Sequence, residues 1–284
     1  MNWPLRWDLL LRYRFIEIVA LWEGRLTTNH LIKSFGIGRQ QASKDINTYI
    51  KEHVPDNLVY DKSLKGYTPT PGFTPKFTTG TADEYLHLLS RNTDIRNTFS
   101  GLDLGLNCCE ALQIPLRNIE PTILRPLVQA ARNQKRVELD YISMHSPEVE
   151  TRVIAPHTLV CTPLRWHLRA YCEKNRDYRD FVLSRFRGEP DIMDASPNPM
   201  AEDQRWMTEI SIILEPDSRL NPAQRAIIEH DYGMRDGKLE IATRGALVGY
   251  TLPALNIDPH KCEQQPEAQQ IQIANRKALE PYLF

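Results

Sequence analysis

Hydrophobic residues recur at helical spacing in the N-terminal quarter of this chain and alternate with polar residues in its middle. The helical spacing predicts a first helix over residues 7–23, which Gly24 would end, a second from a cap at Thr27 or Thr28 to Phe35, and a third over 39–52. The positions expected to face inward are Trp7, Leu10, Leu11, Phe15, Ile18, Val19 and Trp22, then Leu31, Ile32 and Phe35, then Ala42, Ile46, Tyr49 and Ile50.

The turn Gly36-Ile37-Gly38 joins the second and third helices, and both glycines can adopt positive φ. Two short helices joined in this way are typical of a helix-turn-helix, whose second helix presents its first residues to the major groove of DNA. Residues 58–67 predict a hairpin with a basic tip, the wing. The residues expected to contact DNA are Arg39, Gln40, Gln41, Ser43 and Lys44 on the helix and Lys62 and Lys65 on the wing. A three-helix bundle with a merely solvated polar face is the alternative.

Alternation dominates the middle of the chain. After a proline-rich connector at 68–75, a helix near 81–92 and a helix over 121–134, strands are predicted at 137–143, 151–155, 158–162, 164–172 and 181–186. Five or six short strands behind one helix suggest a small, strongly bent barrel.

The strand at 164–172 has an unusual second face. Leu164, Trp166 and Leu168 lie on its apolar side, so Trp166 is expected in the core. On the other side, His167 and Arg169 offer cationic and aromatic groups, which suit a ligand with negative charge and flat rings.

The C-terminal part follows a strand-helix-strand order, with Asn221 expected to cap a helix over 222–231. The chain is therefore predicted as α+β, with a winged helix-turn-helix, a β-barrel domain and a small α/β domain. The predicted boundaries are 1–76 for the winged helix, 77–134 for a helical connector, 135–200 for the barrel domain and 201–284 for the C-terminal domain.

Composition changes this picture only slightly. The formal net charge is -1, but residues 1–76 hold eleven Lys/Arg against seven Asp/Glu, a net +4 on the predicted DNA-binding module. The absence of a long apolar run or a signal segment favours a cytoplasmic protein with no membrane partner. The five cysteines form no Cys-x-x-Cys pair, so neither a disulfide framework nor a metal site is expected, and no cofactor is expected either.

A family resemblance emerges from the middle strands. The segments Tyr141-x-Ser143, Arg152 with Pro156-His157, Trp166-His167-Leu168-x-Ala170-Tyr171-Cys172 and Asp180-Phe181-x-Leu183-Ser184-Arg185 resemble a WYL domain. His167 stands where that family has tyrosine. The whole layout resembles bacterial WYL transcription regulators, and most of all the dimeric repressors beside phage-defence operons of the BREX and CBASS types.

The resemblance implies an Sm-like barrel that binds a nucleotide or nucleic-acid fragment and thereby changes the DNA affinity of the winged helix. It also implies a homodimer, which would bind an inverted-repeat operator in double-stranded DNA. The residues expected at the ligand are Tyr141, Ser143, His145, Arg152, His157, His167, Arg169, Arg185 and Arg187. A structural ion network, with Arg152, Arg169 and Arg185 paired to Asp140, Asp180 or Glu173, is the alternative.

Two other functions stay open at this point. His145, His157 and His167 could perform acid–base chemistry on a phosphate ester, although the chain has no Gly-rich phosphate loop, His-Glu-x-x-His motif or nucleophile elbow, and no catalytic residue is predicted. An Sm-like barrel could instead bind RNA directly as an adaptor.

Overall fold

A computed structural model describes residues 5–98, 117–261 and 263–283, with only the backbone described over 91–98. Its contacts divide the chain into two compact units, Met1–Ile114 and Pro115–Phe284. Each unit has its own hydrophobic core.

The first unit is a winged helix. Its elements are α1 (Trp7–Glu23), α2 (Thr28–Phe35), α3 (Arg39–Thr48) with a π-helical continuation (Tyr49–His53), the hairpin β1 (Leu58–Asp61) and β2 (Gly66–Pro69), and α4 (Ala82–Thr98). The predicted helix-turn-helix and wing are confirmed. Thr27 begins α2 as its N-cap, and its N–H donates to Nδ1 of His30 over 3.2 Å. Gly24 and Gly36 end α1 and α2 in left-handed conformations, whereas Gly38 is extended, so of the two glycines in this turn that can adopt positive φ only Gly36 does so.

The buried face of α1 agrees with the predicted one at Phe15 and Val19 but not at the two ends of the helix. Tyr13, Phe15 and Ile16 lie in the core, whereas Trp7 is 73% exposed and Trp22 also faces solvent. Trp7 is the first residue of α1, and Trp22, next to its last residue, stacks on Tyr85 of α4, so the prediction that Trp7 and Trp22 are buried is wrong.

A buried carboxylate fastens the segment after the wing onto α1. Glu17 is fully buried and accepts hydrogen bonds from the N–H groups of Lys76, Phe77 and Thr78, from the Thr78 hydroxyl and from the Tyr49 hydroxyl, over 2.8–3.0 Å. Because each carboxylate oxygen is satisfied, this buried charge is tolerated.

The second unit begins with α5 (Pro121–Asn133), which covers one face of a five-stranded antiparallel sheet. Its strands are β3 (Lys135–Ile142), β4 (Val149–Cys161), β5 (Trp166–Cys172), β6 (Asp177–Val182) and β7 (Phe186–Ala195), in the spatial order β6-β5-β4-β3-β7. The two strands predicted at 151–155 and 158–162 are one long strand with a bulge between Pro156 and Thr158. The described residues form no closed barrel, so the Sm-like barrel is not confirmed.

Trp166 does not lie in the core. It is 47% exposed and Leu164 is 65% exposed, whereas Leu168, Ala170 and Cys172 on the same face are fully buried. The partner strand explains the difference. The strand β3 pairs with β4 only as far as Val137, which lies opposite Ile154. The end of the β4–β5 hairpin that carries Trp166 therefore extends beyond the part of the sheet that β3 flanks.

The C-terminal part of this unit is a three-stranded sheet with helices against it. Its elements are α6 (Gln204–Met207), β8 (Glu209–Pro216), α7 (Pro222–Asp231), β9 (Leu239–Arg244), α8 (Val248–Ala254), α9 (Pro266–Gln269), β10 (Ile271–Ile273) and α10 (Arg276–Leu279). The order β10-β8-β9 confirms the predicted β-α-β core and adds a third strand. Asn221 caps α7 as predicted, since its Oδ1 accepts from the Gln224 N–H at 3.0 Å and Gln224 Oε1 accepts from its N–H.

Candidate functional site

The first turn of α3 presents polar side chains to solvent. Arg39, Gln40, Gln41 and Lys44 are exposed, and Ser43 is half-buried. The opposite face of the helix is anchored by Ala42 and Ile46 in the core, which fixes the direction of the exposed face. These are side-chain types that bind base edges and phosphates in a major groove.

The wing is held against the start of α2. Leu26 and Tyr67 exchange two backbone hydrogen bonds of 2.8 Å, and Arg25 Nη2 donates to the Lys65 carbonyl at 3.4 Å. Lys62 and Lys65 are exposed at the tip, as expected for the wing.

A basic groove of about 430 Å³ lies between the wing, α2 and α3. Arg25, Lys33, Arg39 and Lys65 contribute its charged walls, and His30 lies among them. All four charges are positive, so this groove favours an anion such as a DNA phosphate.

The residues predicted to bind a ligand separate into several environments. Tyr141 is buried in the core, where its hydroxyl accepts from the Val182 N–H at 3.2 Å and its ring packs on Phe181. Arg152 lies on the core side of β4 and pairs with Glu150 at 2.6 Å. Arg187 is exposed and donates to the carbonyl oxygens of Ser184 and Phe186.

Ser143 and His145 lie in the loop after β3, where the His145 N–H donates to the Ser143 Oγ at 3.2 Å. His145, His157 and His167 therefore occupy three different settings, since His157 pairs with Asp203 and His167 lies against Tyr250.

A buried ion network forms on the face of β5 opposite the main core. Arg169, 3% exposed, donates to both oxygens of Asp203 at 2.6 and 2.9 Å and to Asp180 at 3.2 Å. His157 Nε2 lies 3.2 Å from Asp203, and the Tyr250 hydroxyl donates to Asp180 at 3.1 Å. The network joins the five-stranded sheet to α8 and to the turn before α6.

The network shifts the two carboxylates in opposite directions. Burial would raise the pKa of Asp203, but hydrogen bonds from His157 and Arg169 outweigh it and lower that pKa to about 2. Burial raises the pKa of Asp180, although the guanidinium of Arg169 opposes it. Arg169 and Asp180 thus form one of the pairs expected in a structural ion network.

His167 occupies a second setting on the same face. Its side chain is 1% exposed and packs against Tyr250, with ring centroids 4.9 Å apart and the ring planes tilted by 46°. Neither ring nitrogen has a hydrogen-bond partner among the described residues. Burial, followed by the positive charges of Arg165, Arg185 and Arg117, lowers the pKa of His167 to about 4.

The positive charges of three arginines thus act on a neutral imidazole. Arg165 and Arg185 are half-buried and Arg117 is exposed. None of the three guanidinium groups makes an ion pair within the described ranges of the chain. Three positive charges that act on one buried ring, without counterions among the described residues, favour an anionic partner.

Sequence reasoning missed several of these residues. Arg165 belongs to the polar face of the strand predicted at 164–172, and its positive charge could have identified it as a candidate binding residue. Asp203, Trp206 and Tyr250 lie 34 or more positions from Arg169 and His167, in segments whose local pattern gives no indication of the contact.

The described residues contain no group of three or more His, Cys, Asp or Glu side chains that could hold a metal ion. No helix within the described ranges is long and apolar enough to cross a membrane.

Three family models match the chain in order. Residues 8–91 match the winged helix-turn-helix domain of the BrxR transcriptional regulator, residues 122–188 the WYL domain, and residues 209–279 the C-terminal dimerization domain of the BrxR transcriptional regulator. None of these is a catalytic family.

Curated relatives align over almost the whole chain. A DNA-binding transcriptional repressor CapW from Escherichia coli (strain KTE188) is 35% identical over 277 residues, 96% of this chain and 91% of the relative. CapW repressors from Pseudomonas aeruginosa and Stenotrophomonas maltophilia are 33% and 31% identical, covering 96% and 98% of this chain and 91% and 93% of the relatives.

Proposed function

This chain belongs to the family of CapW DNA-binding transcriptional repressors, and on that premise we propose that it binds an operator through α3 and the wing and represses a phage-defence operon. The exposed first turn of α3 beside a groove with four positive charges is the observation that carries this proposal. Side chains of α3 enter the major groove, while Lys62, Lys65 and the groove residues contact phosphates.

The test is a shift assay on DNA from immediately upstream of the gene. We expect Arg39→Ala and Lys44→Ala to weaken operator binding by about tenfold or more, with a shallower salt dependence, because each removes one charged contact to DNA. Lys135→Ala, an exposed cation at the start of β3 and outside both matched BrxR domains, is the control and should bind normally. Undiminished binding by both α3 variants would contradict the assignment of the recognition helix.

The second part of the proposal concerns a ligand. We infer that His167, Arg165, Arg185 and Arg117 bind an anionic group, which we assign to a phosphate of a nucleotide or short oligonucleotide. Guanidinium groups bind phosphate bidentately, and an imidazole without partners can donate to it from either nitrogen once protonated. Tyr141, Arg152 and Arg169 are committed to contacts inside the protein and are not part of this proposed site.

Phosphate, a nucleoside monophosphate and the corresponding nucleoside are suitable probes. We expect the two phosphate-bearing probes to bind and Arg165→Ala and Arg185→Ala to weaken them by about tenfold or more, because each variant loses a charge-assisted hydrogen bond. Arg187→Ala, exposed and bonded only to nearby carbonyls, is the control. Equal affinity for the nucleoside would contradict an anion site.

The protonation of His167 provides an independent test of the proposed anion site. An anion beside His167 favours the imidazolium form, so binding takes up a proton at His167, and the pH dependence of affinity between pH 8 and 6 should differ between the wild type and His167→Phe, whereas the titration of the phosphate probe is common to both. Operator binding measured with and without each probe then tests regulation, because a ligand shifts DNA affinity only if the DNA-bound and free forms bind it differently.

A further inference from the structure

Gln41, one of the exposed residues in the first turn of α3, is tied to the body of the winged helix. Its Nε2 donates to Oδ1 of Asp45, one turn later, at 2.7 Å. Asp45 is itself buried, and its other oxygen, Oδ2, accepts from Arg12 Nε of α1 at 2.7 Å. Arg12 also bonds Asp8, so the contact continues along α1.

The chemistry of this contact fixes which way the amide of Gln41 faces. An ionised carboxylate only accepts hydrogen bonds, and the guanidinium of Arg12 stabilises that charge. The NH₂ group must therefore point to Asp45, because the reversed amide would place its carbonyl oxygen against a carboxylate oxygen at 2.7 Å. The Oε1 acceptor and the second hydrogen of the NH₂ group remain available.

A fixed acceptor beside a fixed donor matches one base edge. In the major groove, adenine offers the N6 amine as donor and N7 as acceptor, and glutamine pairs with both. Guanine presents two acceptors, N7 and O6, and thymine presents the acceptor O4 with a methyl group. A freely rotating glutamine amide could adapt to these edges, whereas one held by Asp45 cannot.

We propose that Asp45 is a positioning residue that holds the Gln41 amide in one orientation and so makes adenine the preferred base at one position of each operator half-site. This inference rests on the proposed use of α3 as recognition helix. It adds that a buried residue without DNA contact sets base preference there.

The test measures binding of the full-length protein to operators carrying each of the four base pairs at each half-site position. We expect the wild type to prefer adenine at one position by about 5- to 100-fold. Gln41→Met should lose that preference and keep the others. Asp45→Asn should reduce the same preference, because an asparagine amide can also donate and lets the Gln41 amide reverse.

A double variant separates positioning from a general structural role. If Asp45 acts through Gln41, adding Asp45→Asn to Gln41→Met changes no base preference further, whereas adding it to Gln40→Met still removes the adenine preference. If Asp45→Asn lowers the melting temperature, base preferences are measured at a temperature at which both proteins are folded, since a positioning role changes the ratio of affinities at one operator position, whereas partial unfolding lowers all affinities alike. A preference at that position unchanged in either single variant would overturn the inference.

The two levels of the argument fail differently. Normal operator binding by Arg39→Ala and Lys44→Ala would contradict the recognition helix itself. Weakened binding by those variants, together with an adenine preference that Gln41→Met leaves unchanged, would contradict base recognition by Gln41, whereas a preference lost in Gln41→Met and unchanged in Asp45→Asn would contradict only the role of Asp45.

Discussion

At the residue scale, Arg169 is the group on which most of the buried charge in the second unit depends. It compensates Asp203 through two hydrogen bonds and Asp180 through a third. We expect Arg169→Met to lower the free energy of unfolding by about 3–5 kcal/mol, because it leaves buried carboxylates without a counterion. Chemical denaturation measures this directly.

The exposed pair Arg179–Asp177 provides the control for Arg169. Both of its side chains are 57% exposed, so Arg179→Met should cost no more than about 1 kcal/mol. Equal losses in the two variants would show that the buried network contributes no more than a surface ion pair.

His167 makes stability depend on pH in a predictable direction. Its pKa of about 4 lies below the ordinary 6.5, so folding favours the neutral ring, and the stability is complete above pH 6.5 and decreases as the pH falls toward 4. Between pH 7 and pH 5, the wild type should lose about 2 kcal/mol more than His167→Phe, which keeps the ring against Tyr250. Parallel pH profiles for both proteins would exclude this role.

At the element scale, the wing depends on the absence of a side chain at Gly66. A Cβ there would lie 2.9 Å from the Leu26 carbonyl oxygen and 3.0 Å from Arg25 Cγ. We expect Gly66→Ala to displace β2 and to reduce operator affinity several-fold in a shift assay, since Lys65 lies next to it. Gly72→Ala, whose Cβ would lie no closer than 4.0 Å to Thr70, should bind as the wild type does.

Elements were predictable where local pattern decides the outcome. The helices α1 to α3, the wing and the cap at Asn221 follow from periodicity, glycines and capping residues, all within a few positions of one another. The open sheet could not be distinguished from a closed barrel, because alternation specifies faces but not the pairing of the outer strands. The strand β7 was not predicted. Charged residues lie on both of its faces, so apolar and polar residues do not alternate regularly along it.

The strand β5 marks the limit of prediction from sequence. Alternation correctly separated its two faces, yet both faces are buried over most of its length. Contacts from distant parts of the chain determine the surroundings of its polar face, because Asp203 pairs with Arg169 and Tyr250 packs against His167. When the partners of a polar residue come from a distant part of the chain, the sequence around that residue does not indicate that it is buried.

At the scale of the whole molecule, a dimer of winged helices predicts the form of the operator. The C-terminal domain matches a dimerization domain, and a two-fold symmetric protein binds an inverted repeat with half-sites one or more helical turns apart. Native mass spectrometry of the complex should show two chains per operator. Inserting about half a helical turn, roughly 5 base pairs, between the half-sites should abolish tight binding, because it places them on opposite sides of the duplex.

A single chain on a full operator, or equal affinity for the lengthened site, would contradict a symmetric dimer. Insertion of a complete turn, about 10 base pairs, is the matched control, since it restores the rotational phase of the two half-sites.

The exposure of Trp166 makes its fluorescence a probe of the start of β5. Its indole lies partly in water at the start of β5, between Arg165 and His167 in sequence, whereas the indole of Trp206 is buried against His157 and Arg244. With Trp3, Trp7 and Trp22 replaced by phenylalanine, fluorescence from Trp166 should therefore emit at longer wavelength than that from Trp206 and be quenched by iodide. A residue expected in the core thus becomes a fluorophore beside the proposed anion site.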